Sequence, residues 1–278
     1  MAKLCRILEV TRSGYYAYLK EGRKCIRENE AALLDAIRRA YEESEHTAGY
    51  RKVYHLLVSQ GVPCSIDRVR KIMNRYEIKS VVRRKYKPQT TSADPLATAF
   101  DNLLKQNFNV SGKNQVWVAD ITYIRAGFKW TYLAVVIDLY NREPVGWAYE
   151  LHPDAKLACD ALKMAIRREN PPKGLIHHSD RGCQYTSIAY RKLLDKHQMT
   201  GSMSRKGNPY DNAVAETFFR ALKTEWVSRV HYGTMQEAYR SLYRYIEIFY
   251  KYQRLHGALG YLTPKAFEKL HKQEILAV

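Results

Sequence analysis

The spacing of apolar residues divides the chain into a helical front region and a back region that contains β-strands. In "ENEAALLDAIRRAYEES" (28–44) apolar residues recur at helical spacing, namely Leu33, Leu34, Ile37 and Tyr41. In "QVWVADITYIRAG" (115–127) apolar and aromatic residues alternate with polar ones, as in a half-buried strand. Because the intervening stretch 89–111 is poor in charge and begins with turn-forming residues, we predict a linker there between two domains.

Two more helices are predicted in the front region. The segment "GYRKVYHLLVSQG" (49–61) lies between glycines, and "SIDRVRKIMNRYE" (65–77) begins with Ser65, a residue type favoured at helix N-caps. The second segment has an inner apolar stripe made of Val69, Ile72, Met73 and Tyr76. Two short helices joined by the turn "QGVPCS" suit a helix-turn-helix that offers its second helix to a DNA groove. A three-helix bundle with a solvated basic face is the alternative.

Basic residues cluster on the outer face of the second segment and directly after it. We predict DNA-phosphate contacts for six of them, namely Arg68, Lys71, Arg75, Arg83, Arg84 and Lys85. The DNA-binding domain would span residues 29–88, with a short helical segment at 1–28 before it. In that segment Tyr15, Tyr16 and Tyr18 could stack on bases, although such aromatic residues more often pack a small core.

The back region begins with strands and then alternates helices with strands. Strands are predicted at 115–127, 129–142, 144–151, 174–180 and 199–204, and helices at 154–170, 186–198 and 211–227. A three-strand meander followed by alternating helices and strands predicts an α/β domain, whose mixed sheet is covered by helices on both faces. We assign this core to residues 112–228 and a helical tail to residues 229–278.

The charge of the chain narrows the class of partner. Its 278 residues include 46 Lys and Arg against 28 Asp and Glu, a formal net charge of +18. Such an excess favours a polyanion, with nucleic acid first and a membrane surface second. There is no run of about 20 apolar residues that would predict a membrane-spanning helix, and the N-terminal apolar stretch is too short for a signal peptide. We therefore expect no membrane association.

The cysteines favour a reducing compartment. Five cysteines stand at positions 5, 25, 64, 159 and 183, and no CxxC motif occurs. This scatter predicts no disulfide framework and a cytoplasmic location. The nine histidines do not accompany the cysteines at zinc-ligand spacing, so we expect no structural zinc.

Three carboxylates lie where chemistry on a phosphate would use them. Asp120 lies inside the first strand, Asp180 ends the fourth strand, and Glu216 lies on the later helix. A carboxylate within a strand is costly to bury unless it is paired or binds a metal, and sites in α/β proteins form at strand ends. Oxygen ligands suit Mg²⁺, and two such ions activate the attacking oxygen and stabilise the leaving oxygen at a phosphate. For Glu216 the alternative is a surface ion pair with Arg220, four residues later.

Three strings of residues carry a resemblance to a known family. "WVADITYI", "HSDRGCQY" and "SRKGNPYDNAVAETFFRALKTE" together resemble the retroviral-integrase-like DDE transposases. In particular they resemble the second-frame (OrfB) products of the IS-three family of bacterial insertion sequences, whose D,D(35)E pattern matches the 35 residues between Asp180 and Glu216. The resemblance extends to the helix-turn-helix and, through "YIEIFYKYQRLHGALGYLTPKAFE", to the C-terminal tail. It covers about residues 4–270.

The resemblance implies an RNase H-like core in which Asp120, Asp180 and Glu216 are catalytic metal ligands for two Mg²⁺ ions, or Mn²⁺ in their place. It also implies a DNA contact for Lys223, which matches the family's basic residue seven positions after the glutamate. Seven residues are two helical turns, so Lys223 projects from the same face as Glu216. Asn212 lies on that face too, and we predict a DNA contact for it as well. The opposite face is predicted to pack on the core through Val214, Phe218 and Leu222.

Several residues near the three acids need separate interpretations. We predict further DNA contacts for Arg205, Lys206 and His178, with a packed or orienting histidine as an equal alternative for His178. Asp211 is interpreted as a helix-starting acid or cap and not as the third ligand. Asp138 lies in a strand, but the family pattern does not use it, and we expect a structural hydrogen-bonding role.

The implied activity is that of a DNA transposase. Water would attack a phosphodiester at the element end, and the freed 3′ hydroxyl would attack a second one, in a copy-out and paste-in route through a circular intermediate. The implied partners are double-stranded DNA, further copies of the chain on that DNA, and an upstream-frame (OrfA) protein or fusion, in the bacterial cytoplasm on the nucleoid. The alternatives are an RNase H-like nuclease without strand transfer and a non-catalytic DNA-binding regulator.

Overall fold

The computed structural model describes residues 11–17, 23–81, 100–205 and 208–276. They belong to two compact units, which meet in the sequence between Val81 and Val82. The first unit contains the helices α1 (Arg12–Ala17), α2 (Arg23–Glu43), α3 (Tyr50–Ser59) and α4 (Ile66–Arg75). These bounds confirm the predicted helices at 28–44, 49–61 and 65–77.

The first unit is held together by the predicted apolar stripes. Ile37 of α2, Leu57 of α3 and Val69 of α4 are fully buried in one core. The Ser65 side chain accepts a hydrogen bond from the Arg68 backbone N–H at 3.3 Å, so the predicted N-cap of α4 is confirmed. Tyr76 was placed in the inner stripe, and that prediction is wrong: α4 ends at Arg75, and Tyr76 is 43% exposed.

The second unit is built on a five-stranded sheet. The strands are β1 (Val116–Ala126), β2 (Lys129–Asp138), β3 (Pro144–Glu150), β4 (Ile176–Ser179) and β5 (Thr200–Met203), in the spatial order β3-β2-β1-β4-β5. β1 and β2 pair antiparallel, as do β2 and β3, whereas β1–β4 and β4–β5 are parallel. The three-strand meander and the mixed sheet are therefore as predicted.

Helices cover both faces of this sheet. The helices are α5 (Ala155–Glu169), α6 (Cys183–Thr186), α7 (Ile188–Lys196), α8 (Ala213–Glu225), α9 (Met235–Tyr243) and α10 (Pro264–Leu276). One core lies between the sheet and α5–α7, and another lies between the sheet, α8 and α9. Where α5 crosses β3, a Cβ on Gly146 would lie 2.3 Å from the Ala161 carbonyl oxygen, so only glycine permits this approach. The arrangement is the predicted RNase H-like fold.

The C-terminal tail belongs to the same compact unit. A π-helix (Arg244–Gln253) follows α9 directly and buries Tyr245, Ile246 and Phe249 in the core beneath α8. Local periodicity did not predict a π-helix, because this wider helix still presents apolar residues at nearly helical spacing. Among the residues that the structure describes, no helix is long and apolar enough to cross a membrane.

Candidate active site

Asp120 lies in the middle of β1, at the centre of the sheet. Its Cα lies opposite that of Val135 on β2, and its own Oδ1 accepts the backbone N–H of Ile121 at 2.8 Å. Side chains alternate along a strand, so Asp120 shares a face with the buried residues Val118 and Ile124, which pack in the core with α8. The side chain itself is half-buried.

Asp180 follows β4 directly, at its carboxyl end. β1 and β4 run parallel with Val118 opposite His178, and this register continued by two residues brings Asp120 level with Asp180. Adjacent strands lie about 4.8 Å apart. The sheet therefore brings the two predicted catalytic aspartates to neighbouring positions.

The surroundings of Asp180 raise its pKa. Burial disfavours the charged carboxylate, and a hydrogen bond from the Gly182 backbone N–H to Asp180 Oδ1 at 2.9 Å offsets this only in part. A Cβ on residue 182 would lie 3.0 Å from the same oxygen, so glycine leaves the carboxylate room. Burial also raises the pKa of the Tyr185 hydroxyl, and the negative charges of Asp120 and Asp180 raise it further. The Tyr185 hydroxyl therefore lies close enough to both aspartates for their charges to shift its pKa.

Glu216 lies in the first turn of α8 and is half-buried. The start of α8 is tied to β1, because Asn212 Nδ2 donates to the Ala119 carbonyl oxygen at 3.1 Å, one residue before Asp120. On the opposite side of the helix Phe218 and Leu222 are buried and Val214 packs against the same core, as predicted. Packing on one side and the Asn212 tie at the start together fix how α8 presents Glu216.

The donors fit a hard divalent cation by their chemistry, since all three predicted ligands are carboxylates. The Asn212 Oδ1 atom adds a buried acceptor beside them that has no hydrogen-bond partner among the described residues. Nevertheless, within those residues no three His, Cys, Asp or Glu side chains lie close enough to hold one metal ion. The structure therefore presents the two aspartates at neighbouring positions, without a closed three-ligand cluster.

Asp211 was interpreted as a helix-starting acid or cap and not as the third ligand, and the structure places it in the first turn of the short 3-10 helix (Pro209–Asn212) that leads into α8. It is fully buried beneath the start of α8 and accepts hydrogen bonds from Arg205 Nε and Nη2, each at 3.0 Å. Asn102 Nδ2 and Gln106 Nε2 donate to it from the segment before β1, at 2.9 and 3.0 Å. These bonds, chiefly those from Arg205, hold the pKa of Asp211 well below its usual range. Asp211 joins three segments, and its distant partners left no local signal in the sequence.

For His178 two interpretations were open, a DNA contact and a packed or orienting histidine, and the structure favours the second. The side chain is fully buried on β4, with Nδ1 2.8 Å from Ser202 Oγ and Nε2 3.1 Å from Ser204 Oγ. Burial lowers its pKa to about 4, and that of the neighbouring His177 to about 3. Both rings are neutral near pH 7, and His178 stabilises the pairing of β4 with β5.

The other predicted DNA contacts differ in exposure. Asn212 is only 5% exposed, so it positions α8 and does not present its side chain to a DNA surface. The Lys223 Nζ atom lies 3.9 Å from the centre of the Tyr123 ring. Arg205 is exposed although it pairs with Asp211. Lys206 lies outside the described residues.

In the first unit the predicted DNA contacts lie on α4. Arg68, Lys71 and Arg75 are exposed on the outside of that helix. Arg75 pairs with Glu30, while the ion pairs described within residues 23–81 include neither Arg68 nor Lys71. The remaining three predicted contacts lie outside the described residues, namely Arg83, Arg84 and Lys85.

Asp138 has the expected structural role. It is fully buried at the end of β2 and accepts hydrogen bonds from the backbone N–H groups of Asn114 and Tyr140 and from Trp117 Nε1, at 2.7 to 3.2 Å. Burial nevertheless raises its pKa to about 6. Its bonds lead to the start of β1 and away from Asp120.

Family profiles match most of the chain. A profile described as an integrase core domain matches residues 110–209, and a second one with the same description matches residues 197–264. An HTH-like domain matches residues 28–86.

Curated relatives match almost the whole chain. The transposase InsF for insertion sequence IS3A of Escherichia coli (strain K12) is 38% identical over 267 residues, which cover 95% of this chain and 92% of InsF. The insertion element IS600 uncharacterized 31 kDa protein of Shigella sonnei is 38% identical over 270 residues, covering 97% of this chain and 99% of that protein.

Solved structures are more distantly similar. The catalytic core domain of HTLV-2 integrase in complex with magnesium is 13% identical with a TM-score of 0.41, covering 55% of this chain and 94% of that one. The catalytic domain of Mos1 mariner transposase is 13% identical with a TM-score of 0.42, covering 49% and 71%.

Proposed function

This chain belongs to the family of insertion-sequence transposases that includes InsF of IS3, and we propose that it cuts and joins DNA strands through Asp120, Asp180 and Glu216. The proposed reaction is metal-dependent hydrolysis of a phosphodiester at the element end, in which water attacks the phosphorus and the 3′ oxygen of the element leaves. The freed 3′ hydroxyl then attacks a second phosphodiester and displaces the 3′ oxygen of the strand that it joins.

One observation carries this proposal. The parallel register of β1 and β4 brings Asp120 and Asp180 to neighbouring positions, and the Asn212 hydrogen bond to Ala119 ties the helix of Glu216 to the same point of β1. These three acids come from distant parts of the sequence. Two aspartates at neighbouring strand positions, with the start of α8 tied to the same strand, are typical of a site in an α/β fold.

The three carboxylates would hold two Mg²⁺ ions, or Mn²⁺, and the neighbouring Asn212 Oδ1 offers a further oxygen. When bound, such ions supply positive charge that lowers the pKa of an attacking water and stabilises the leaving oxygen. The burial that raises the pKa of Asp180 favours binding of a cation, because a cation offsets the energetic penalty on the charged carboxylate.

The protein groups proposed for the chemistry bind and orient the DNA, and none of them forms a covalent bond to it. The nucleophiles are water and then a DNA hydroxyl, so each step exchanges one phosphodiester oxygen for another. Lys223, at the end of α8 that lies two turns beyond Glu216, is proposed to hold a phosphate near the acids. Arg205 and Lys206 are proposed to contribute further phosphate contacts.

The first unit is proposed to bind duplex DNA through α4. Arg68 and Lys71 are exposed on the outside of that helix, opposite the buried stripe of Val69 and Ile72. Strand transfer brings two DNA ends together, so we also propose that the chain acts as a multimer on DNA and works with an upstream-frame partner or fusion. Light scattering with paired end DNA tests the multimer, since a fully active monomer would contradict it.

The decisive experiment compares the wild type with Glu216→Gln on labelled element-end DNA with Mg²⁺. The substitution retains the size of the side chain and removes its charge. We expect the wild type to cut and join, and the variant to bind DNA while doing neither. Glu42→Gln is the matched control, because it makes the same change on the exposed surface of α2 and should leave both steps intact.

The other outcomes separate the rival functions. If the wild type cuts without joining, the chain acts as a nuclease. If the wild type binds but remains inactive after the upstream partner is added, a DNA-binding regulator is the better description. Equal activity of the wild type and Glu216→Gln would contradict the role of Glu216.

A further inference from the structure

The hairpin formed by β1 and β2 exposes aromatic side chains on one face. Arg125 lies opposite Trp130, and Tyr123 lies opposite Tyr132, so all four side chains share that face. Trp130 is 52% exposed and Tyr123 is 49% exposed. The pairing of β1 with β4 ends at Val118, so within the described residues the far end of β1 pairs only with β2.

Cations lie against these exposed rings. The Tyr123 and Trp130 rings meet edge to face at 5.1 Å, the Lys223 Nζ atom lies 3.9 Å from the centre of the Tyr123 ring, and the Arg125 guanidinium lies 5.9 Å from that of Trp130. The nearest acid in the strand register is Glu150, opposite Tyr132, and it lies 3.6 Å from Lys156. The face is therefore both aromatic and positively charged.

Exposed apolar residues that occur singly need no explanation, but a contiguous aromatic patch marks an interaction site. Rings that alternate with cations fit single-stranded nucleic acid, because bases stack on the rings while Lys and Arg contact the phosphates. An apolar protein partner fits less well, because it would not require the two cations. Duplex DNA also fits less well, because its bases are stacked inside the helix and cannot stack on the rings.

We propose that the stacking face, defined as Tyr123, Arg125, Trp130 and Lys223, binds unpaired bases of a DNA strand next to the active site. Tyr123 follows Asp120 by three residues, about 10 Å along the strand, so the two side chains lie on opposite faces of β1. Lys223 follows Glu216 by two helical turns on α8 and contacts the Tyr123 ring, which links the two faces at this end of β1. A strand held at the carboxylates can therefore continue past the edge of β1 onto these rings. The inference rests on the proposed function, in that the polyanion is DNA.

Tryptophan fluorescence can report this contact at a single residue. The chain has four tryptophans, of which Trp117, Trp147 and Trp226 are at most 8% exposed and Trp130 is 52% exposed. A base that stacks on Trp130 should quench its emission. We expect a single-stranded oligonucleotide to quench the wild type, and an abasic strand of the same length to quench it much less.

The binding experiment compares Trp130→Ala and Trp130→Phe with the wild type. We expect Trp130→Ala to weaken binding of single-stranded DNA by roughly tenfold, as stacking on one ring predicts, and Trp130→Phe to retain most of the affinity without the quenching. Tyr252→Ala is the control, because it removes an exposed aromatic ring from the π-helix, away from the stacking face, and should bind like the wild type. Circular dichroism checks that each variant is folded.

Three results would overturn the proposal. The first is equal binding of base-bearing and abasic strands, and the second is quenching by duplex DNA equal to that by single-stranded DNA. The third is a self-association that only the Trp130 variants lose, because it would assign the face to a second copy of the chain. All binding titrations are made in EDTA, and they are repeated with Glu216→Gln added to each protein, so that they require no catalysis. If the wild type transfers strands but no base stacks on Trp130, the stacking face is rejected and the proposed reaction stands. If bases stack on Trp130 but the wild type catalyses neither step, the proposed reaction is rejected and the stacking face stands.

Discussion

Two regions of the second unit contain several acidic residues, and their surroundings shift the pKa values of Glu268 and Asp180 in opposite directions. Where the C-terminal helices join the sheet, Glu143 and Glu247 both lie near the Lys251 ammonium, at 3.4 and 2.8 Å. Glu268 of α10 lies 3.0 Å from Lys113. Burial alone would push the pKa of Glu268 upward, but the ammonium groups of Lys272 and Lys113 outweigh it and lower that pKa to about 2.

At the carboxyl end of β4 the balance is reversed. Burial raises the pKa of Asp180, and the Gly182 N–H is the contact that works against it. The charged forms of Glu247 and Glu268 favour the folded state, because the pKa of each is lowered there, whereas the charged form of Asp180 opposes it. A fold can retain such a destabilising charge at a site where charge is needed for function. A raised pKa alone does not identify a catalytic acid, because burial also raises the pKa of the structural Asp138 to about 6.

The largest effect should come from Asp180→Asn. It retains the shape of the side chain and removes the buried charge, so we expect strand cleavage to fall by about 10³-fold, as losses of electrostatic stabilisation commonly do. The melting temperature in EDTA should stay the same or rise. Single-turnover cleavage and differential scanning calorimetry measure the two effects. A lowered melting temperature with intact cleavage would place Asp180 among the structural acids.

The next effect should come from Glu225→Gln at the C-terminal junction. Glu225 at the end of α8 accepts hydrogen bonds from Arg254 Nε at 2.6 Å and from Nη2 at 2.7 Å; Glu225 is buried and the Arg254 side chain is 14% exposed. Breaking such a pair leaves a buried charge alone and costs about 3–5 kcal/mol. Urea unfolding should show that loss, while cleavage per folded molecule should remain.

A double variant controls for the cause of that loss. Glu225→Leu with Arg254→Met removes both charges, so much of the stability should return. If Glu225→Gln alone is as stable as the wild type, the pair does not fasten the π-helix to α8, and the contrast between the two acidic regions fails.

The proposed catalytic acids could be selected as candidates from the sequence because they lie in contiguous motifs. Asp120 and Asp180 end or interrupt apolar strand patterns, and strand order and helical periodicity were enough to predict the sheet and its covering helices. The N-cap at Ser65 is equally local, since its partner is the N–H three residues later.

The acids at the junction and the buried polar groups could not be predicted in this way, because their partners are distant in sequence. Asp211 receives hydrogen bonds from Gln106 and Asn102, about a hundred residues earlier, and Glu225 pairs with Arg254 across the π-helix. His178 resembled a site residue because it lies close to Asp180 in the sequence, but its ring is fully buried between Ser202 and Ser204, which lie more than twenty residues later. The stacking face depends on the register of β1 with β2, which periodicity alone does not fix.

The smallest effect should be a difference in acid sensitivity between wild type and Glu268→Gln. The folded pKa of Glu268, about 2, lies below its ordinary value of 4.5, so its contribution to stability is present above pH 4.5 and is lost as the pH falls toward 2. Since the side chain is partly screened by solvent, we expect the wild type to lose about 1–2 kcal/mol more than the variant between pH 7 and pH 3 in urea unfolding. Asp180→Asn should change the profile in the opposite sense, because a raised pKa stabilises the fold at low pH and loses that effect as the pH rises. If the free energy of unfolding depends on pH in the same way for both variants and the wild type, the two regions do not differ in their effect on the pKa of their acids.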